Sequence, residues 1–145
     1  MRGGVVRLRH YSNLQGLVWR WPRFRPIELA DPESCELIVA PAFLDWLEGV
    51  RQIFGKPMII NDATRTPERQ IRHSGRRTGS HVDGMAVDVK CHGADAHRLQ
   101  RIAHSQGVLG LGTYLDPKKP IEKHFLHLDR WATAPPNVRP MAWSG

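Results

Sequence analysis

A carboxylate stands in the middle of an apolar alternation: Asp88 in "MAVDVK", residues 85–90. Alternation of this kind reads as a half-buried strand. An ionised carboxylate among buried apolar neighbours is costly unless it is paired or binds a metal. Some other segment must therefore bring a cation or an imidazole to this strand, and that demand constrains the fold more than any other feature. Two segments can do so. His81 lies seven positions earlier in "GSHVDG", where Gly84 lets the loop fold back. His127 lies in "HFLHLD", 124–129, a second strand-like alternation with His127 and Asp129 on one face.

The rest of the chain reads as a mixed scaffold. Pro41 opens a helix in which Phe43, Leu47, Val50 and Phe54 recur at helical spacing, and Gly55 stops it. "PMIIN", 57–61, reads as a short buried strand. Residues 62–80 read as a long polar, arginine-rich loop with one helical turn after Pro67, and a loop of that length in a compact domain is usually functional or mobile. A second helix is expected over 95–106, with Ala96, Leu99, Ile102 and Ala103 inward and Gly107 ending it. "LGLGTYL", 109–115, reads as a strand weakened by two glycines, and "DPKKPIEK" as a loop. Residues 1–36 form an N-terminal strap in which Trp19 and Trp21 pack onto the domain, and the proline-rich residues 134–145 form an irregular tail. The expectation is one α+β domain over 1–145, a small and mostly antiparallel sheet flanked by helices, with the metal site on the sheet.

Composition sets the outer bounds. A chain of 145 residues buries a core without disulfide staples, and Cys35 and Cys91 have no pairing pattern, so free thiols are expected. No apolar run approaches a membrane span, and the basic N-terminus lacks a secretory segment. Synthesis in the cytoplasm is expected, with action at a cell wall requiring release or carriage by a virion. The net charge of +7 suits an anionic partner: nucleic acid, a membrane or an acidic cell-wall polymer. Arg69, Arg72, Arg76 and Arg77 are its densest group. A nucleic-acid role rests on charge alone and leaves the segment around His81 and Asp88 unexplained.

A catalytic zinc takes three nitrogen, sulfur or oxygen ligands from protein and leaves one position open, and His81, Asp88 and His127 can supply them. Asp129 is a candidate to hold a ligand imidazole as an outer acceptor, and Ser80 to brace the loop. Cys91 and His92 are rival ligands, but "CHGADAH" leaves the strand toward the second helix. His97 and His104 read as a solvated helix face and His10 is uninformative; His73, beside the arginine loop, is a candidate to touch substrate, although the ordinary surface reading leads. Trp131, just after the second motif, is a candidate to border a cleft.

"SHVDGMAVDV" resembles the S-x-H-x-x-G-x-A-x-D motif of the M15 metallopeptidases, the D-Ala-D-Ala carboxypeptidase and L-Ala-D-Glu endopeptidase relatives. "FLHLDRW" resembles that family's closing segment, and "PMIINDATRTPERQ", "WRWPRFRPIEL" and "PAFLDWLEGVRQIFGKP" follow its order. The resemblance runs from about Trp19 to Trp131. It implies a sheet of the kind shared with lysostaphin-type peptidases and the hedgehog domain, zinc on His81, Asp88 and His127, and peptidoglycan stem peptides as substrate. It implies that Arg65 binds substrate and polarises the scissile carbonyl. Thr64 stands where the family usually has tyrosine, and Asp62 and Ala63 where it has serine and glycine. The family's acidic general base, three residues before the last ligand, falls on His124, with Glu122 as the neighbouring candidate. Strand alternation turns His124 away from the face of His127 unless a bulge intervenes. A zinc-stabilised wall-binding module without catalysis is the rival reading that this substitution favours.

Overall fold

The computed structural model describes residues 4–145, so the first three residues of the expected strap lie outside it. In chain order the elements are β1 (Val6–Leu8), α1 (Pro26–Leu29), β2 (Leu37–Val39), α2 (Pro41–Phe54), β3 (Ile59–Asp62) and α3 (Pro67–Ser74). They continue with β4 (Ala86–Lys90), α4 (Gly93–Ser105), β5 (Gly110–Tyr114), a single 3-10 turn (Ile121–Lys123), β6 (Phe125–Asp129) and β7 (Met141–Ser144). The fold is α+β, with two sheets. β1 and β2 form an antiparallel pair, and the main sheet has the order β3-β4-β6-β5-β7. It is antiparallel except for the β5–β7 edge, which is parallel.

Strand alternation divides the main sheet into two faces. Val87 and Val89 of β4, Leu126 and Leu128 of β6 and Leu111 of β5 point into the core, where they meet Phe43, Leu47 and Val50 of α2 and Leu99 and Ala103 of α4. Those helices are placed by ordinary signals. Pro41 occupies the first turn of α2, where its missing N–H costs nothing, and Gly55 caps its end at φ +75°. The opposite face carries Asp88, His127 and Asp129.

The N-terminal segment is more structured than a strap. β1 pairs with β2, and Trp21 and Phe24 are fully buried. Trp19 donates its indole N–H to the carbonyls of Trp21 and Phe24, and Trp21 donates to Asp45 on α2. Two further expectations are corrected. The stretch after Pro67 is a two-turn helix, because Thr66 caps it by accepting from Arg69 N–H and Gly75 ends it in the left-handed region. The tail is not irregular throughout, because Met141–Ser144 adds a strand to the sheet edge.

One buried ion-pair chain ties the N-terminal half to the sheet. Asp31 accepts from the N–H groups of Glu33, Ser34 and Thr66 and from Arg69 Nε at 2.8 Å. Arg69 also reaches Asp62 Oδ1 at 2.5 Å and the Thr64 carbonyl at 3.0 Å. Burial alone would raise the pKa of Asp31, but Arg69 and the three N–H groups outweigh it and hold it at about 2. The folded pKa lies below the unfolded one, so this stabilisation is complete above pH of about 4 and is lost as pH falls through about 2. Acid titration of stability should show that loss, amounting to about 2 kcal/mol from this group. Asp31→Asn should destabilise the domain at neutral pH by about 3 kcal/mol and flatten the acid limb, as read by denaturant melts at pH 7 and below pH 4.

Candidate metal centre

Cross-strand register assembles the site. Asp88 on β4 stands opposite His127 on β6, and His127 stands opposite Gly112 on β5. Asp62 of β3 adds to one end of this row and Trp143 of β7 to the other. His81 enters from the loop between α3 and β4. That loop is closed by Gly84 N–H donating to the His81 carbonyl and Met85 N–H donating to the Ser80 carbonyl. Gly84 has φ +73°, and a Cβ there would lie 2.4 Å from Ile38 Cγ2, so no other residue fits the turn without a shift.

Each imidazole is oriented through the nitrogen that faces away from Asp88. His81 Nδ1 lies 2.8 Å from the Ala63 carbonyl, which places the proton on Nδ1 and leaves Nε2 bare. His127 Nε2 lies 2.7 Å from Asp129 Oδ2, which leaves its Nδ1 bare. The two other ring nitrogens, His81 Nε2 and His127 Nδ1, are 3.3 and 3.1 Å from Asp88 Oδ1. A tetrahedral ion with bonds of about 2.0–2.1 Å sets its donor atoms about 3.3 Å apart. All three donors lie within 4.8 Å of one another. Two correctly tautomerised imidazoles and a carboxylate at that spacing fit a divalent ion such as zinc.

The charges favour a cation at this point. Burial alone would raise the pKa of Asp88, but the His127 and His81 imidazoles hold it well below the carboxylate range. Burial opposes a charge on His127, yet Asp129 and Asp88 raise its pKa. Without an ion, protons satisfy the same field, so metal uptake displaces protons and weakens as pH falls. Asp129 is fully buried and accepts from His127, from Trp131 N–H and from the Arg139 guanidinium. Burial would raise its pKa, but His127 and Arg139 keep it at about 2.

The three donors open onto a cleft of about 810 Å³, which Arg65, His73, Tyr114, Trp131, Arg139 and Trp143 also line. Arg65 is held at the floor by Gln70 Oε1 at 2.7 Å and Asp62 Oδ2 at 2.5 Å, while its buried Nε has no partner. Trp131 lines the cleft and donates its indole N–H to Asp83. Ser80 is buried beside His81 and fixes the loop through its backbone carbonyl.

The two candidates for the base are corrected by their placement. Alternation along β6 turns His124 to the side of Leu126 and Leu128, away from His127. Its Nε2 lies 2.8 Å from the Asp116 carbonyl and 3.1 Å from that of Lys119, so the ring anchors the loop before β6. Glu122 is exposed on the 3-10 turn, and neither side chain lines the cleft. The rival ligands also stand apart. Burial pushes the Cys91 thiol up to about 12, His92 caps α4, and His97 and His104 are exposed. Reading the sequence missed Asp62, Gln70, Arg139 and Trp143 as cleft residues. Thr66 ahead of Pro67 is the capping signal that could have extended the single expected turn into the helix that carries Gln70, while the tail had no such signal.

Two strands and the loop before β4 bring a His/Asp/His group that could hold a metal ion to an open cleft of an α+β domain, with an arginine fixed beside it. The chain belongs to the Peptidase M15 family: the family model described as Peptidase M15 matches residues 15–129. That span takes in Arg65 and all three donor residues and stops at Asp129. Searches of curated proteins and of solved structures gave no match.

The purified protein should carry about one equivalent of divalent metal by elemental analysis. Asp88→Ala and His127→Ala should each lose it. Retention of full metal content by both variants would show that the donors are wrong.

Proposed function

We propose that this chain is a zinc-dependent peptidase that cleaves peptide bonds in peptidoglycan stem peptides. The observation that supports this most is the pair of imidazoles that meet at Asp88 Oδ1 and line an open cleft within a Peptidase M15 chain. His81, Asp88 and His127 would hold the ion. When bound, zinc supplies Lewis-acid chemistry, acidifying water and polarising a carbonyl.

The chain's own residues do the remaining work. Arg65 is a cation locked by Gln70 and Asp62, ready to receive the substrate's carbonyl oxygen or a carboxylate without reorganising. Trp131 offers the substrate an apolar wall. Neither His124 nor Glu122 lines the cleft, which favours another residue as proton acceptor. Asp62 is a poor choice, because burial, which would raise its pKa, is outweighed by Arg69, His81 and Arg65. His73 lines the cleft from α3, and partial desolvation with the nearby guanidiniums of Arg65 and Arg69 keeps its imidazole below the usual pKa. A neutral imidazole at working pH can take a proton from the attacking water and return it to the leaving amine.

His73→Ala should lower turnover by a factor on the order of 10² to 10⁴ while metal content stays unchanged. His124→Ala should cost far less turnover, and the reverse order would remove His73 from this role. Arg65→Lys should lose most activity with metal retained, because a point charge does not replace a planar fork. Digestion of purified peptidoglycan, with mass spectrometry of the fragments, tests the whole reading. If the protein holds zinc and binds the polymer yet releases no fragment from any wall type, it is a binding module and not a peptidase.

A further inference from the structure

β7 lies beyond the residues matched to the family and runs parallel to β5 at the sheet edge. Arg139, just before it, makes a fork onto the buried Asp129. Its Nε is 3.1 and 3.2 Å from the two carboxylate oxygens, and its Nη2 is 2.8 Å from Oδ2. Asp129 Oδ2 is also the acceptor for His127 Nε2. The Arg139 guanidinium is held between two indoles, 5.2 Å from the Trp131 ring and 5.2 Å from the Trp143 ring. Trp143 donates its N–H to the Tyr114 hydroxyl at 2.8 Å, and its ring lies 5.1 Å from that of His127.

β5 is shaped to receive this assembly. A Cβ on Gly110 would fall 2.1 Å from Asp129 Oδ2 and 2.5 Å from Arg139 Nε. A Cβ on Gly112 would fall 2.6 Å from the Trp143 ring. Neither glycine has a positive φ, so both supply room and not backbone freedom. A buried ion pair is weak evidence of stabilisation, since apolar residues of similar volume commonly serve as well. An arginine fork placed on the acceptor of a candidate ligand histidine has another use: it fixes that acceptor.

We propose that Arg139 is a positioning residue of the metal centre, holding the Asp129 carboxylate so that His127 keeps its proton on Nε2 and turns Nδ1 to the ion. The inference rests on the reading of His81, Asp88 and His127 as ligands. Trp131 and Trp143 keep the fork in place, and β7 becomes part of the metal centre although it contributes no ligand.

The test is competition for zinc between the protein and a chromophoric chelator, with the visible absorption of the cobalt-loaded protein as a second readout. Arg139→Gln should bind zinc about 10- to 100-fold more weakly and alter the cobalt spectrum. Arg139→Lys should recover part of the affinity, since it keeps the charge and loses the fork. Wild-type affinity in Arg139→Gln with an unchanged cobalt spectrum overturns the inference. If Arg139→Gln does not fold, Trp143→Leu, which removes one face of the sandwich, should lower affinity in the same direction, and unchanged affinity there overturns it too. A wild-type protein that binds no zinc overturns the ligand reading, and this inference with it.

Discussion

The pairing of Asp88 with His127 across β4 and β6 governs the rest of the molecule. Side chains alternate along a strand, so a slip of one residue would turn Asp88 and His127 toward the helices and Val87 and Leu128 toward solvent. The apolar side of the same two strands, Val87, Val89, Leu126 and Leu128, is completely or almost completely buried. The core therefore locks the register that the site needs. In return, the site gives the buried carboxylate its partners, without which Asp88 would not be tolerated on a central strand. Packing and chemistry here are two faces of one pair of strands.

On either side of that row stands an arginine clamped by carboxylate, Arg69 buried and Arg139 half-buried. On the β3 side, Arg69 joins Asp31 to Asp62, and Asp62 in turn holds Arg65. On the β5 side, Arg139 holds Asp129. Each guanidinium is held by charge-assisted hydrogen bonds to carboxylate oxygens, which fix its geometry. The two clamps differ in what they serve. The first links the N-terminal half to the cleft floor, because Asp31 caps its own turn and reaches across to Thr66 and Arg69. The second reaches the centre through one carboxylate. A cleft built this way holds its charged groups in fixed positions.

Much of this was legible in the sequence, and the exceptions have physical causes. α2 and α4 declare themselves through apolar spacing and terminal proline or glycine, which are local signals. β4 and β6 declare themselves by alternation. β1 and β2 are three residues each, too short for any periodicity, and exist because they pair with each other across the intervening α1 segment. β7 is equally opaque. Its sequence, "MAWS", is held by partners on β5, including a glycine whose missing side chain leaves space for Trp143. The glycines of "LGLGTYL" look like a weakness when β5 is read alone. They are the recess into which Asp129, Arg139 and Trp143 fit, a property visible only once β5 has its neighbours.

The His/Asp/His group could be read from residue type and position, whereas which imidazoles line the cleft could not, and strand geometry explains the difference. A position count along β6 leads to His124, three residues before His127. Three is an odd step on a strand, so the two side chains leave opposite faces, and no bulge intervenes within β6. His124 instead grips two carbonyls of the loop that precedes the strand. The imidazole that does line the cleft, His73, sits on α3, in a stretch whose polarity made it read as a loop. α3 also carries Gln70, which braces Arg65, three residues from His73 and so on the same side of the helix. The helix thus brings an arginine brace and an imidazole to one wall of the cleft, facing the strands that bring the donors. Cross-strand register places Asp88 and His127, the α3–β4 loop adds His81, and α3 lines the rim beside them.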